Sequence, residues 1–145
     1  MINRISGVPD GFEPLVLKRL FQTHPQLIYV VPNEQKLAKV KNLCALMAPE
    51  IPVLSFSSWD TVPYDRIAPN PQVVGARIDT LIELLKQDRF ILITTVSALL
   101  QRLTPTTFFQ NSTLEITVGK RLIFDVLKTF LVKNGYHATD IVMEA

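Results

Sequence analysis

The sequence is short of several things that define common functional classes. It has one cysteine in 145 residues, which excludes a disulfide framework or a multi-cysteine metal site and fits a reducing compartment. It has almost no net charge: 15 basic residues stand against 13 acidic ones, a balance of +2. That gives no electrostatic case for a dedicated nucleic-acid binder. No apolar run approaches the ~18–20 residues needed to cross a bilayer. The longest, Phe90 to Leu100, is interrupted by Thr94, Thr95 and Ser97. The first nine residues lack the apolar centre of a signal peptide. Neither a Gly-Lys-Ser/Thr phosphate motif nor a Gly-x-Ser-x-Gly elbow occurs. There is no internal repeat and no low-complexity tract. What remains is the pattern of a soluble, cytoplasmic, globular chain, 48% hydrophobic.

That pattern alternates helix and strand. A helix is predicted from about Phe12 to Gln22, with Phe12, Leu15, Val16 and Leu20 inward and Pro14 in its first turn. Leu27–Val31 reads as a strand buried on both faces, as in parallel sheets. Asn33 is a good cap for a second helix carrying Leu37, Val40, Leu43, Cys44 and Met47. Val53–Phe56 is a second strand. Residues 57–72 form a long aperiodic loop, of a length that is often functional. A third helix follows to about Gln87, with Val74, Ile78, Leu81, Ile82 and Leu85 inward. Phe90–Thr94 is a third buried strand, and Val96–Leu103 a short helix. Residues 1–110 therefore read as a three-layer parallel α/β unit. After Pro105 the character changes. Leu114, Ile116 and Val118 alternate with polar residues like a half-exposed strand, a helix carries Ile123, Leu127, Phe130 and Leu131, and Tyr136–Met143 reads as another strand. Residues 111–145 are expected to open a second, smaller α+β domain that stops short.

Candidate chemistry is sparse. Cys44, on an apolar helix face with no nearby cation, reads as an inert buried thiol. His24 and His137 read as surface residues, and Lys36, Lys39 and Lys41 as a solvated helix face. The segment Gly7–Pro14 places two glycines before a helix, where anions are attracted to free N–H groups. Yet Asp10 and Glu13 would repel phosphate and Pro14 lacks a donor, so Gly7, Gly11, Glu13 and Pro14 read as a degenerate phosphate loop. No catalytic, metal or cofactor-binding residue is assigned. The loop residues Trp59, Asp60, Tyr64, Asp65 and Arg66 are of types enriched where proteins touch partners. The plainer alternative has Trp59 and Tyr64 capping the sheet while Asp65 and Arg66 pair locally.

The run Ser58-Trp59-Asp60-Thr61-Val62-Pro63-Tyr64-Asp65-Arg66-Ile67-Ala68-Pro69-Asn70-Pro71, with Arg77–Leu81 after it, resembles the N-terminal region of the bacterial transcription-repair coupling factors (Mfd). Thr94–Arg102, Gly119–Leu122, Gly135-Tyr136 and Asp140–Glu144 continue the resemblance in register. That region is in turn similar to the excision-repair protein UvrB. Aligned so, the UvrB phosphate-loop lysine falls on Glu13 and its hydroxyl residue on Pro14, and residues 59–71 are too few for the UvrB DNA-gripping hairpin. The resemblance implies a UvrB-like module without ATPase or helicase activity, in a longer ATP- and Mg-dependent DNA translocase that displaces stalled RNA polymerase from double-stranded DNA. It implies UvrA as a partner, through a surface expected beyond Ala145, and no membrane. The alternative is a nucleotide-binding helicase-type domain of a UvrB-like protein.

Overall fold

A computed structural model describes residues 4–61, 66, 68–114 and 116–139. The chain divides into two units, Met1–Arg102 and Leu103–Ala145.

The first unit has the order α1 (Glu13–Phe21), β1 (Gln26–Val31), α2 (Glu34–Met47), β2 (Val53–Phe56), α3 (Pro71–Lys86), β3 (Phe90–Thr95) and α4 (Val96–Leu99). The three strands are parallel, in the order β1-β3-β2. The β1-to-β2 crossover steps over β3 in one direction and the β2-to-β3 crossover steps back. Right-handed connections therefore place α2 and α3 on opposite faces. The α1/α2 face buries Leu17, Phe21, Val31, Leu37, Val40, Cys44, Ile91 and Ile93, with Leu27, Tyr29 and Val53 packed against them. α3 lies over β2 on the other face, where the Thr80 hydroxyl donates to the Ser55 carbonyl at 2.9 Å. The expected three-layer α/β unit is found.

Helix starts follow local chemistry. Pro14 and Pro71 occupy first turns, where no N–H is needed. The Asn33 side chain accepts from the Lys36 N–H at 2.9 Å, as expected of an N-cap. Inward faces are harder to place. α1 buries Pro14, Leu17 and Phe21, whereas Phe12 and Leu15, expected inward, are exposed. α3 turns Arg77 inward, whereas Ile78 and Leu85 are exposed. β1 is buried on one face only: Ile28 and Val30 are 60% and 39% exposed, because β1 is an edge strand and α3 covers the far side of the sheet. α4 ends at Leu99, short of the expected Leu103.

The second unit contains α5 (Thr106–Ser112), which the sequence reading missed, and α6 (Phe124–Lys133). The alternation over Leu114, Ile116 and Val118 forms no strand. A strand needs a ladder partner, and among residues 103–114 and 116–139 there is none. Residues 136–139 are likewise irregular, and the rest of the expected Tyr136–Met143 strand lies outside the described residues. α6 ends as its sequence suggests. Gly135 takes φ 88°, its N–H reaches the Val132 carbonyl at 3.2 Å, and the Tyr136 N–H reaches Leu131 at 3.0 Å. This is a Schellman closure requiring a residue tolerant of positive φ.

Candidate functional site

The Gly7–Pro14 segment folds as a closed ion-pair cluster. Gly7 and Gly11 both have positive φ, 77° and 94°. The Gly11 N–H, the kind of donor a phosphate would use, is taken by the Glu13 carboxylate at 2.8 Å. Lys36, on the first turn of α2, reaches both Asp10 and Glu13, and Lys39 reaches Asp10 at 2.6 Å. These contacts tie the start of α1 to α2. Hydrogen bonds from Lys36 and then Lys39 bring the Asp10 pKa down to about 2. Burial acts to raise that of Glu13, but Lys36, its own backbone and the Gly11 N–H together pull it below its ordinary value. The Lys36 ammonium is held correspondingly above its usual range, by Asp10 and then Glu13. Lys36 is half-buried in this cluster, whereas Lys39 pairs with Asp10 from an exposed position and Lys41 is exposed, so the helix face expected to be solvated is so at Lys39 and Lys41.

A phosphate loop joins the end of a strand to the next helix. Among the described residues the first junction of that kind lies between β1 and α2, and it is only Pro32-Asn33. Asn33 caps the helix there. The Glu34 carboxylate accepts from the Ser58 N–H and hydroxyl, each at 2.8 Å, and from the Thr95 hydroxyl at 3.3 Å. Glu34 thereby links α2 to the carboxyl ends of β2 and β3. The junction has no glycine, lysine or hydroxyl residue and presents a carboxylate. Neither it nor Gly7, Gly11, Glu13 and Pro14 fits the nucleotide that the family resemblance associates with the longer protein.

Because the folded Asp10 value lies below the ordinary ~3.9 of an unfolded aspartate, its contribution is complete above about pH 4 and is lost as pH falls towards 2. The melting difference between the wild-type chain and Asp10→Asn should shrink across that interval. A difference unchanged from about pH 6 down to about pH 2 would contradict the pairing.

The loop after β2 is organised by a residue whose role was not read from the sequence. Arg77 is 3% exposed, and its guanidinium carbon lies 4.1 Å from the Phe56 ring centroid and 4.2 Å from that of Trp59. One of its Nη groups donates to the Ser57 carbonyl. Burial lowers its pKa, opposed by Glu34. Trp59 thus closes over the carboxyl end of β2. Asp60 accepts from the Asn70 N–H at 3.2 Å, and Asn70 in turn caps α3 by accepting from Gln72 at 2.9 Å. Arg66 is exposed, while Tyr64 and Asp65 lie outside the described residues. A signal was available in its spacing: Val73, Arg77, Thr80 and Leu84 fall on one helical stripe.

Cys44 is buried, and burial raises its thiol pKa, with a further contribution from Glu13, so it is held as the unreactive thiol. Among the described residues no three of His, Cys, Asp and Glu group as metal ligands, and no helix is long and apolar enough to cross a membrane.

Fold and site together define a parallel α/β unit whose β1–α2 turn presents the Glu34 carboxylate. Its relatives are more specific. The chain is 27% identical over 141 residues to the transcription-repair-coupling factor of Haemophilus influenzae, covering 97% of this chain and 12% of that protein. It is 30% identical over 118 residues to that of Escherichia coli, covering 81% and 10%, and 30% identical over 110 residues to that of Rickettsia prowazekii, covering 75% and 10%. The similarity expected from the Ser58–Pro71 and Arg77–Leu81 segments is therefore found. The chain spans about a tenth of the length of the curated relatives it matches. No protein-family model matches it.

Proposed function

We propose that this chain is a non-catalytic interaction module of a transcription-coupled repair factor. Residues 1–110 would serve as a UvrB-like α/β head without nucleotide chemistry, and 111–145 would begin a domain of the UvrA-binding type. ATP, Mg, RNA polymerase and double-stranded DNA would engage other parts of a longer cytoplasmic translocase. The similarity to transcription-repair-coupling factors supports the repair assignment. The observation supporting the non-catalytic part is the two-residue β1–α2 turn, where Glu34 stands in place of a phosphate cradle. A triphosphate there would meet that carboxylate without the lysine and hydroxyl that ordinarily bind phosphate and magnesium.

Titration calorimetry with Mg-ATP tests the proposal. We expect no saturable heat up to about 1 mM ligand, the weak end of ordinary affinities. A micromolar dissociation constant would transfer support to the helicase-type nucleotide-binding alternative.

A further inference from the structure

We propose that Asn134-Gly135 is a site of spontaneous deamidation, held in check by the closing turn of α6. Of the chain's asparagines, only Asn134 precedes a glycine. The others precede Arg4, Glu34, Leu43, Pro71 and Ser112. Glycine matters because it has no side chain to obstruct its own nitrogen. That nitrogen attacks Cγ, the carbonyl carbon of the Asn134 side chain. A C–N bond forms, the Cγ–Nδ2 bond breaks, and the amide leaves as ammonia with the Gly135 proton. Water then opens the resulting cyclic imide at either carbonyl. One opening gives aspartate. The other gives isoaspartate, whose main chain runs through the former side chain. Water is the one co-reactant.

The folded turn opposes each part of that attack. Asn134 has φ −96° and ψ 18°, which sets the Gly135 nitrogen beside the Asn134 backbone nitrogen and away from the side chain. The Gly135 N–H is occupied by the Val132 carbonyl at 3.2 Å. Asn134 Nδ2 donates to the Phe130 carbonyl at 2.8 Å, which anchors the amide on α6. All these bonds lie within α6 and its cap, so fraying of one turn releases them together. Asp10-Gly11, which can close the same ring by loss of water, is held differently. Gly11 donates to Glu13, and Asp10 pairs with Lys36 and Lys39 of α2. Its release requires breaking contacts with another helix. Conversion at Asn134 also loosens its own guard. It replaces the Nδ2 donor by a carboxylate at the end of α6, where the macrodipole disfavours negative charge. Isoaspartate adds a backbone atom inside the closure that ties Gly135 to Val132 and Tyr136 to Leu131.

The test ages the whole chain in mildly alkaline buffer and in guanidinium chloride. Samples are digested at acid pH and read by mass spectrometry, with aspartyl and isoaspartyl peptides separated. In denaturant, Asn134 should convert before every other asparagine. In buffer it should again convert first, but about tenfold more slowly, as for a turn open about a tenth of the time. Lys133→Gly weakens the last turn of α6. It should raise the rate in buffer about fivefold and leave the rate in denaturant unchanged. In the converted chain, amide exchange at Gly135 and Tyr136 should quicken. Equal rates in buffer and denaturant, no conversion in buffer, faster conversion at another asparagine or at Asp10, or a Lys133→Gly rate in buffer matching wild type would each overturn the proposal.

Discussion

Replacing Arg77 by alanine is expected to destabilise the first unit by about 3–4 kcal/mol, although the residue touches no ligand. A buried guanidinium between two aromatic faces gains about 0.5–2 kcal/mol from each ring. Its hydrogen bond to the Ser57 carbonyl contributes about 1.5–3 kcal/mol, as charged donors do. These contributions share one side chain and do not add in full. Truncation also leaves a cavity under Trp59 and frees a carbonyl at the end of β2. Arg77→Lys should recover less than half of the loss, because an ammonium lacks the planar faces that stack between Phe56 and Trp59. Trp59 is the only tryptophan, so its emission reports the clamp directly during urea unfolding. A loss below about 1 kcal/mol for Arg77→Ala, the range of an ordinary surface change, would mean that the clamp contributes little.

The elements legible in the sequence were those whose signal is local. Asn33 caps α2 whatever surrounds it, Pro14 and Pro71 mark helix starts, and the apolar run Phe90–Thr94 read as a buried strand, as β3 is. Faces were less legible where apolar residues surround a helix. α1 carries Leu15, Val16, Leu17, Leu20 and Phe21, so two stripes fit the same period, and only packing against α2 selects Leu17 and Phe21. β1 looked fully buried because its sequence is apolar throughout. Its position at the sheet edge is decided by the order of strands, which no periodicity reveals. The alternation at Leu114–Val118 failed for the converse reason: its pattern was right for a strand, but no partner strand is present among the described residues.

The candidate site was half legible, for a related reason. Asp10 and Glu13 were recognised as hostile to phosphate, and both lie in the ion-pair cluster with Lys36. Lys36 is twenty-three residues from Glu13, and their pairing follows from the docking of α1 on α2. Glu34 and Arg77 act together at the carboxyl end of the sheet. Glu34 holds Ser58 and Thr95 while Arg77 holds Ser57, Phe56 and Trp59. The polar groups at the sheet's carboxyl end, where related architectures place ligands, are thus spent on fixing the loop after β2. That internal use is a second observation in favour of the proposed non-catalytic reading.

Among the apolar side chains of the sheet, Ile93 is the most deeply buried. It is fully buried at the centre of the central strand, level with Tyr29 of β1 and Ser55 of β2. Its side chain faces α2, in the cluster with Val31, Val40 and Ile91. Ile93→Ala removes three carbons from a site walled by strands on both sides and a helix above, so relaxation into the space is restricted. A loss of about 3–5 kcal/mol is expected, the upper part of the range for such truncations. That is a large fraction of the ~5–15 kcal/mol that holds a typical domain together. Ile93→Val, which keeps the branch and β preference, should cost about 1 kcal/mol. Urea unfolding of both variants, followed through Trp59, checks the ratio. Equal losses would mean that the space closes after truncation and that β3 is not the rigid centre its burial indicates.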